Sequence, residues 1–273
     1  MVVANTGDDS FVHGVHVSPD PDLVTYWLAD QIDERGYGLR GDSWEVMGAL
    51  EAAGRPAWFR LGDRDLAMCL IRTEELHAGR SLTEAHAAVV DALAVEARVL
   101  PMADEPVSTR VLHGGGWLPF QEYMIVHGAA PPVEGVELEG IERARPSDAV
   151  LAALAAAELI VIGPSNPVIS IGPILGLPGM REALAGAPAP VVAVSPFVGG
   201  RSLKGPSEHF CEWAGIETSA AGIAAAYADV ADAVVADEAA PGAHLVTDTL
   251  MADTAAMRQL ARKILEFGGS LTR

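Results

Sequence analysis

Four carboxylates, Asp8, Asp9, Asp20 and Asp22, stand in two short segments near the start of the chain, Asn5-Thr6-Gly7-Asp8-Asp9 and Ser18-Pro19-Asp20-Pro21-Asp22. Before them, Val2-Val3-Ala4 reads as a short buried strand that Asn5, Thr6 and Gly7 break. In an open α/β sheet, ligands occupy the crevice beyond the carboxyl ends of the strands, where this acidic loop falls. Carboxylates crowded there repel one another unless a hard cation stands between them, usually Mg²⁺ shared with substrate phosphates. Aspartate also forms turns and caps helices, and for Asp22 alone that plainer role suffices. The four together point to a Mg²⁺ site.

Cations are the second signal. The formal net charge of −19 excludes nucleic acid as a partner, since binding it requires a basic face. In so acidic a chain, a cation placed in a loop is a candidate anion ligand, and Arg64, Arg201 and Lys204 qualify. Arg64 lies in Gly62-Asp63-Arg64-Asp65, after an expected strand Ala57–Leu61. It either faces the acidic loop or closes a charge cluster that caps the next helix, and the sequence leaves both open. Arg201 and Lys204 belong to the loop Ser195–Pro206, which follows the apolar run Val191–Val194. A similar loop, Gly163-Pro164-Ser165-Asn166-Pro167, follows Leu159–Ile162 and supplies Ser165 and Asn166 close to an expected helix start, where backbone N–H groups attract phosphate.

The elements that must position these residues alternate. Asp20-Pro21 reads as a helix start. Asp42-Ser43 caps a helix through Trp44, Met47 and Leu50, and Ser81-Leu82-Thr83-Glu84 is a capping box. Ala233–Ala236 adds a strand, Ser219 caps an Ala-rich helix, and a last helix runs from about Asp253 to Phe267. Strands alternating with helices predict an α/β fold, a doubly wound, Rossmann-like and mostly parallel sheet with helices on both faces. The chain reads as a single α/β domain, residues 1–273, within which 98–145 changes character. Val107–Leu112 and Trp117–Val126 there suggest a hairpin across His113-Gly114-Gly115-Gly116, in an inserted β-rich subdomain or lid.

Two motifs fail their context. Gly36-Tyr37-Gly38-Leu39-Arg40-Gly41 has dinucleotide-loop spacing but follows a polar helix end, so it reads as a flexible connection. His113-Gly114-Gly115-Gly116 resembles an esterase oxyanion loop, yet the chain has no G-x-S-x-G nucleophile. Apolar runs are too short to span a bilayer, and Cys69 and Cys211 lack metal-ligand spacing, so a cytoplasmic protein without a membrane partner is expected.

Asn5–Asp9, Ser18–Asp22, Gly62–Asp65, Gly163–Pro167, Ser195-Pro196 and Thr249-Leu250-Met251, in that order over essentially the whole chain, resemble the 2-phospho-L-lactate transferase family of coenzyme F420 biosynthesis. The resemblance implies transfer of a phospholactyl or phosphoenolpyruvyl group from a guanosine-diphosphate-linked donor (LPPG or EPPG) to the deazaflavin Fo, with release of GMP. By similarity, Asp20 and Arg64 contact Fo, and Asp8, Asp9 and Asp20 are catalytic. Asp8 and Asp9 with Asp20 or Asp22 hold Mg²⁺, and Ser165, Asn166, Ser195, Arg201 and Lys204 line the donor site. The family implies a homodimer acting on small molecules. Its members usually open with a strand and a Gly-rich phosphate loop before the Asn-Thr-Gly-Asp-Asp strand. Because a βα unit takes roughly 30 residues, a start that far upstream is expected. The alternatives are a truncated, inactive homologue or a non-catalytic nucleotide-sugar-binding regulator of related fold. The acidic loop of that second family resembles Asn-Ala-Asp-Asp-Gly-Gly-Ser-Ser-Gly, whereas Asp9 is followed here by Ser10-Phe11-Val12.

Overall fold

The computed structural model describes residues 1–203 and 205–272, in two compact units. The first comprises Met1–Val111, Gly116–Gly128 and Val136–Val150, and the second Leu112–Gly115, Ala129–Gly135 and Leu151–Arg273.

The first unit opens with β1 (Val2–Ala4), an antiparallel pair β2 (Ser10–Val12) and β3 (Val15–Val17), and α1 (Pro19–Leu28). Then come α2 (Glu45–Ala52), α3 (Asp63–His77), α4 (Leu82–Ala92) and β4 (Val99–Pro101). β1 pairs in parallel with β4, Val3 opposite Leu100, so the acidic loop leaves the carboxyl end of a strand as expected. β5 (Ser108–His113), β6 (Gly116–Pro119), α5 (Phe120–Ile125), β7 (Gly135–Glu139) and α6 (Asp148–Ala155) follow, with the three strands ordered β6-β5-β7.

Small apolar clusters hold these elements. Val15, Val17, Phe59, Leu61 and Cys69 are buried together, and Tyr26 packs with Ile32 and Leu39. The capping box forms as its spacing predicts, Ser81 Oγ accepting from Glu84 N–H and Glu84 Oε2 from Ser81 N–H.

Two expectations are corrected here. Ala57–Leu61 is not a strand: Phe59 and Leu61 are buried, but the Phe59 carbonyl accepts from the His13 ring at 2.8 Å instead of joining a ladder. The hairpin across Gly114-Gly115 exists, but its second strand stops at Pro119, and Phe120–Ile125 is helical. Apolar residues there are spaced to bury Tyr123 on one side of a short helix, a pattern too brief to separate from a strand.

The second unit carries β8 (Ile160–Ile162), α7 (Ile171–Gly176), α8 (Met180–Ala185), β9 (Val191–Val194), β10 (Phe197–Val198), β11 (Arg201–Ser202), α9 (Ser207–Ala214), α10 (Ala220–Ala226), β12 (Ala233–Ala236), β13 (Leu245–Val246) and α11 (Thr254–Gly268). Four of these strands form a parallel sheet in the order β13-β12-β9-β8, with Val192 opposite Val161 and Ala233. β9 and β12 are buried throughout and rich in Val, as a parallel strand covered on both faces requires. Leu260 and Ile264 of α11 pack on Val192, Val194 and Val235. The α/β class with parallel sheets is as the sequence predicts. Among the described residues no helix is long and apolar enough to cross a membrane.

Candidate functional site

Asp8, Asp9 and Asp20 are gathered by two polar side chains of the same segments. Asn5 Nδ2 donates to Asp20 Oδ2 at 3.1 Å and to Asp8 Oδ1 at 3.4 Å. Asn5 Oδ1 meanwhile accepts from Gly7 N–H at 2.7 Å, which folds the loop back on itself. Ser18 is the N-cap residue of α1, yet its hydroxyl does not cap the helix; it donates to Asp9 Oδ1 at 2.7 Å. A side chain with a ready local partner has been diverted to the acidic loop.

Burial and mutual repulsion disfavour the charged forms. Burial pushes the Asp8 carboxyl well above the ordinary range, with Asp20 and Asp9 adding to the effect. Asp9 is also raised by burial, against the pull of the Ser18 hydroxyl and Arg72. Asp20 is raised by burial and partly relieved by Asn5. Such a site favours either shared protons or a bound cation.

One cation is already built in. Arg72, on α3, is fully buried and donates to Asp22 Oδ1 and to the His16 carbonyl, the latter at 3.1 Å. His86 lies on the other side of Asp22, its Nδ1 4.0 Å from Oδ1 and its Nε2 3.1 Å from Thr25 Oγ1. Thr25 uses its proton on the Pro21 carbonyl, so His86 Nε2 carries the hydrogen and Nδ1 is bare. Burial, with Arg72 nearby, pushes the rings of His86 and His16 down to about 3 and about 4, and both are neutral near pH 7. Sequence reasoning missed this network. A polar Arg, and a His on the buried face of a helix otherwise apolar at that spacing, were the available signals.

The first unit contains a cavity of about 850 Å³. One part of its wall is acidic: Asp8, Asp20, Asp22 and Asp65. The rest is aromatic and basic, with Tyr26, Tyr37, Trp44, Trp58, Phe59 and Phe120 beside Arg35 and Arg60. The Gly36–Gly41 segment, expected as a plain connection, is part of this wall. It is pinned by Asp33 N–H to the Gly38 carbonyl and by Arg40 N–H to that of Gln31. Gly38 takes φ +71°, and a Cβ there would stand 3.9 Å from Asp65 Oδ2. Asp65 accepts from the Tyr26 hydroxyl at 2.6 Å, and burial, against that bond, raises it to about 6. Gln121 Nε2 donates to Asp8 Oδ2 at 3.1 Å, bringing α5 to the acidic wall.

The structure separates some residues that the sequence groups. Asp9 lines a different, smaller cavity of about 280 Å³, with Thr6, His16, Asp104 and Glu105. Arg64 is exposed and absent from the lining of the larger cavity; its guanidinium donates to the Arg40 carbonyl at 3.0 Å and to Gln31 Oε1 at 2.9 Å. Ser165, Asn166, Ser195 and Arg201 lie in the second unit. Asn166 Oδ1 accepts from Val168 and Ile169 N–H, while Nδ2 is buried without a partner. Ser195 is buried and accepts from Phe197 N–H at 3.2 Å, and Arg201 is exposed on β11. Lys204 falls outside the described residues.

The donor set suits a hard cation. Asp9 Oδ2 and Asp22 Oδ2 are buried without a hydrogen-bond partner, which leaves acceptor capacity free beside the protonation-prone Asp8. The four carboxylates do not close on one point. Among the described residues the set whose ligand atoms lie within 4.8 Å of one another is Asp22, Asp65 and Cys69. Burial holds the Cys69 thiol protonated and Arg72 already occupies Asp22, so that set is a poor ligand group. Mg²⁺ keeps several waters and takes one or two carboxylates with substrate phosphates, so it does not require all four carboxylates to converge.

The chain is similar to known proteins over most of its length. The chain is 40% identical to a phosphoenolpyruvate transferase of Kitasatospora aureofaciens over 97% of its own length and 88% of that protein's. It is 38% identical to a 2-phospho-L-lactate transferase of Methanosarcina mazei, over 97% and 90%. Among solved structures, a upf0052-family protein of Bacillus halodurans, BH3568, shares the fold at a TM-score of 0.53 and 16% identity, over 94% of this chain and 81% of that one. The family model of the 2-phospho-L-lactate transferase CofD matches residues 1–266, and the chain belongs to that family of transferases.

Proposed function

We propose that this transferase moves a phospholactyl or phosphoenolpyruvyl group from LPPG or EPPG onto the terminal ribityl hydroxyl of Fo, releasing GMP and giving coenzyme F420-0 or its dehydro form. The observation that carries the reading is the larger cavity, whose wall is carboxylate in one part and aromatic in the rest. A planar deazaflavin ring suits the aromatic part, and its hydroxylated tail suits the carboxylates. The cavity volume falls in the range of small-molecule sites. Relatives named for each donor support leaving both open.

In this reading the hydroxyl oxygen forms a new bond to the phosphorus bearing the lactyl or enolpyruvyl group, and the bond from that phosphorus to the GMP oxygen breaks. Asp20, which lines the cavity and accepts from Asn5, takes the hydroxyl proton. Asp8 and Asp9, with Asp20, hold Mg²⁺, which when bound supplies charge neutralisation at the diphosphate. Asn5 fixes the spacing of Asp8 and Asp20 by donating to both. On family resemblance, Ser165, Asn166, Ser195, Arg201 and Lys204 receive the donor, and the working form is a homodimer.

The deciding experiment incubates the protein with Fo, Mg²⁺ and each donor in turn, and weighs the products. F420-0 or its dehydro form appearing with GMP supports the reading. No product with either donor, together with tight binding of a nucleotide sugar and none of Fo, would overturn it.

A further inference from the structure

We infer that Arg35 and Arg60, stacked on Trp44, form an anion-recognition wall for the ring edge of the acceptor and make the enzyme specific for a planar ring carrying an ionised oxygen. The inference rests on the reading that Fo occupies the larger cavity. Arg35 Cζ stands 5.6 Å from the centroid of Trp44 and 5.0 Å from that of Tyr37, and Arg60 Cζ stands 5.4 Å from Trp44. All four residues line the cavity. Both guanidinium groups lie against one indole, which holds two positive charges on the same part of the cavity wall.

Their present partners hold them without using them up. Arg35 Nε donates to Asp33 Oδ1 and Arg60 Nη1 to Glu51 Oε1, each at 2.5 Å, through exposed pairs of modest strength. A guanidinium has five N–H donors in a planar fork, so each keeps donors for a second acceptor. Contact with the aromatic rings limits where each fork can go, which favours bidentate recognition of a flat anionic edge. The aromatic surface is partly uncovered, with Tyr37 57% and Trp58 39% exposed, leaving π-faces for a ring to lie against. On the acidic wall, Asp22 and Asp65 feel a different cation, Arg72, so Arg35 and Arg60 are not committed to those carboxylates.

The deazaflavin ring has the matching chemistry. Its ring hydroxyl is conjugated with the electron-poor pyrimidine carbonyls, which makes it an acidic, vinylogous group. With that edge at Arg35 and Arg60, the tail stays within the cavity that Asp20 also lines.

The test measures Fo affinity by fluorescence quenching for the wild type, Arg35→Gln, Arg60→Gln and Arg60→Lys, above and below the pH at which free Fo changes its absorbance. Above that pH each Gln variant should bind about tenfold more weakly, the scale of one charged hydrogen bond. Their KM for Fo should rise with kcat little changed, and Arg60→Lys should recover part of the loss. Below it the difference from wild type should vanish. Unchanged affinity in the variants, or the same loss on both sides of the ionisation, would overturn the inference. A wild type that fails to bind Fo at any pH would instead remove the acceptor assignment itself, and this inference with it.

Discussion

Asp8 is a carboxylate that its surroundings would rather have protonated, and that shapes what its removal does. Asp8→Asn removes a carboxyl whose charged form is disfavoured by burial first and then by Asp20 and Asp9, so the melting temperature of the metal-free protein should stay level or increase. Turnover with saturating Mg²⁺ should fall about a hundredfold or more, as for loss of one preorganised electrostatic group. Initial rates and thermal melts on one preparation check both, and wild-type turnover at limiting Mg²⁺ would show that Asp8 has no part in the metal site. Asp65 gives a cleaner pH signature. Raised by burial to about 6, it contributes stability that is full below the ordinary carboxylate range and is lost as the pH rises through 6. Asp65→Asn lacks that loss while keeping an acceptor for the Tyr26 hydroxyl. The variant should therefore gain on the wild type between pH 4 and pH 7, by about 3 kcal/mol at most. Denaturant titrations at several pH values would reveal it; parallel curves would mean that Asp65 titrates normally.

Helices α2 and α3 exchange caps. Asp63, at the start of α3, accepts from Glu45 and Val46 N–H of α2, while Asp42, before α2, accepts from Arg64 and Asp65 N–H of α3. The expected cap of α2 by Asp42-Ser43 is thus corrected to a reciprocal pair, because each aspartate lies nearer the other helix's open N–H groups. Gly62 makes the crossing possible: a Cβ there would stand 2.1 Å from Asp42 Oδ2. Asp42→Ala should cost about 1 kcal/mol, and Gly62→Ala should cost more, since it displaces the Asp42 carboxylate by force. Equal melting temperatures for the two variants would contradict the crossing. Arg64 ties the same corner to the Gln31–Arg40 turn. Arg64→Ala should raise the KM for Fo through that turn, leaving kcat near wild type and lowering stability by about 1 kcal/mol. A melting-temperature loss with Fo affinity intact would reduce Arg64 to a structural tie.

What the sequence made legible at this scale was whatever depends on neighbours along the chain. The Val-rich runs that became β9 and β12, the Ser81–Glu84 box, the Ser219 cap, the last helix from about Asp253 and the acidic loop after β1 are of that kind. Contacts between distant segments were not legible. Ala57–Leu61 has the composition of a strand and lacks only a partner, and Arg72 reaches Asp22 across fifty positions. Asp8 and Asp9 are adjacent in sequence yet line different cavities, which no spacing rule separates.

For the whole molecule, the dominant quantity is charge. A chain at −19 repels anionic substrates at long range. With Mg²⁺ held constant, raising the ionic strength from low salt to physiological values should screen that repulsion and raise kcat/KM for the donor. Stopped-flow or initial-rate measurements across a salt series would test this, and a steady fall with salt would mean that local cations govern the encounter.

The buried ion pair between Arg72 and Asp22 also restricts the mutational paths open to this lineage. Either residue lost alone strands an unpaired charge in the interior, at a cost of about 3–5 kcal/mol, against the 5–15 kcal/mol that holds a typical domain together. Single-step variants at either position therefore pass through a barely folded intermediate. The two positions, fifty apart in the chain, should be inherited as one character, exchanged together or not at all, and drift at one without the other should appear only in lineages that have first gained stability elsewhere.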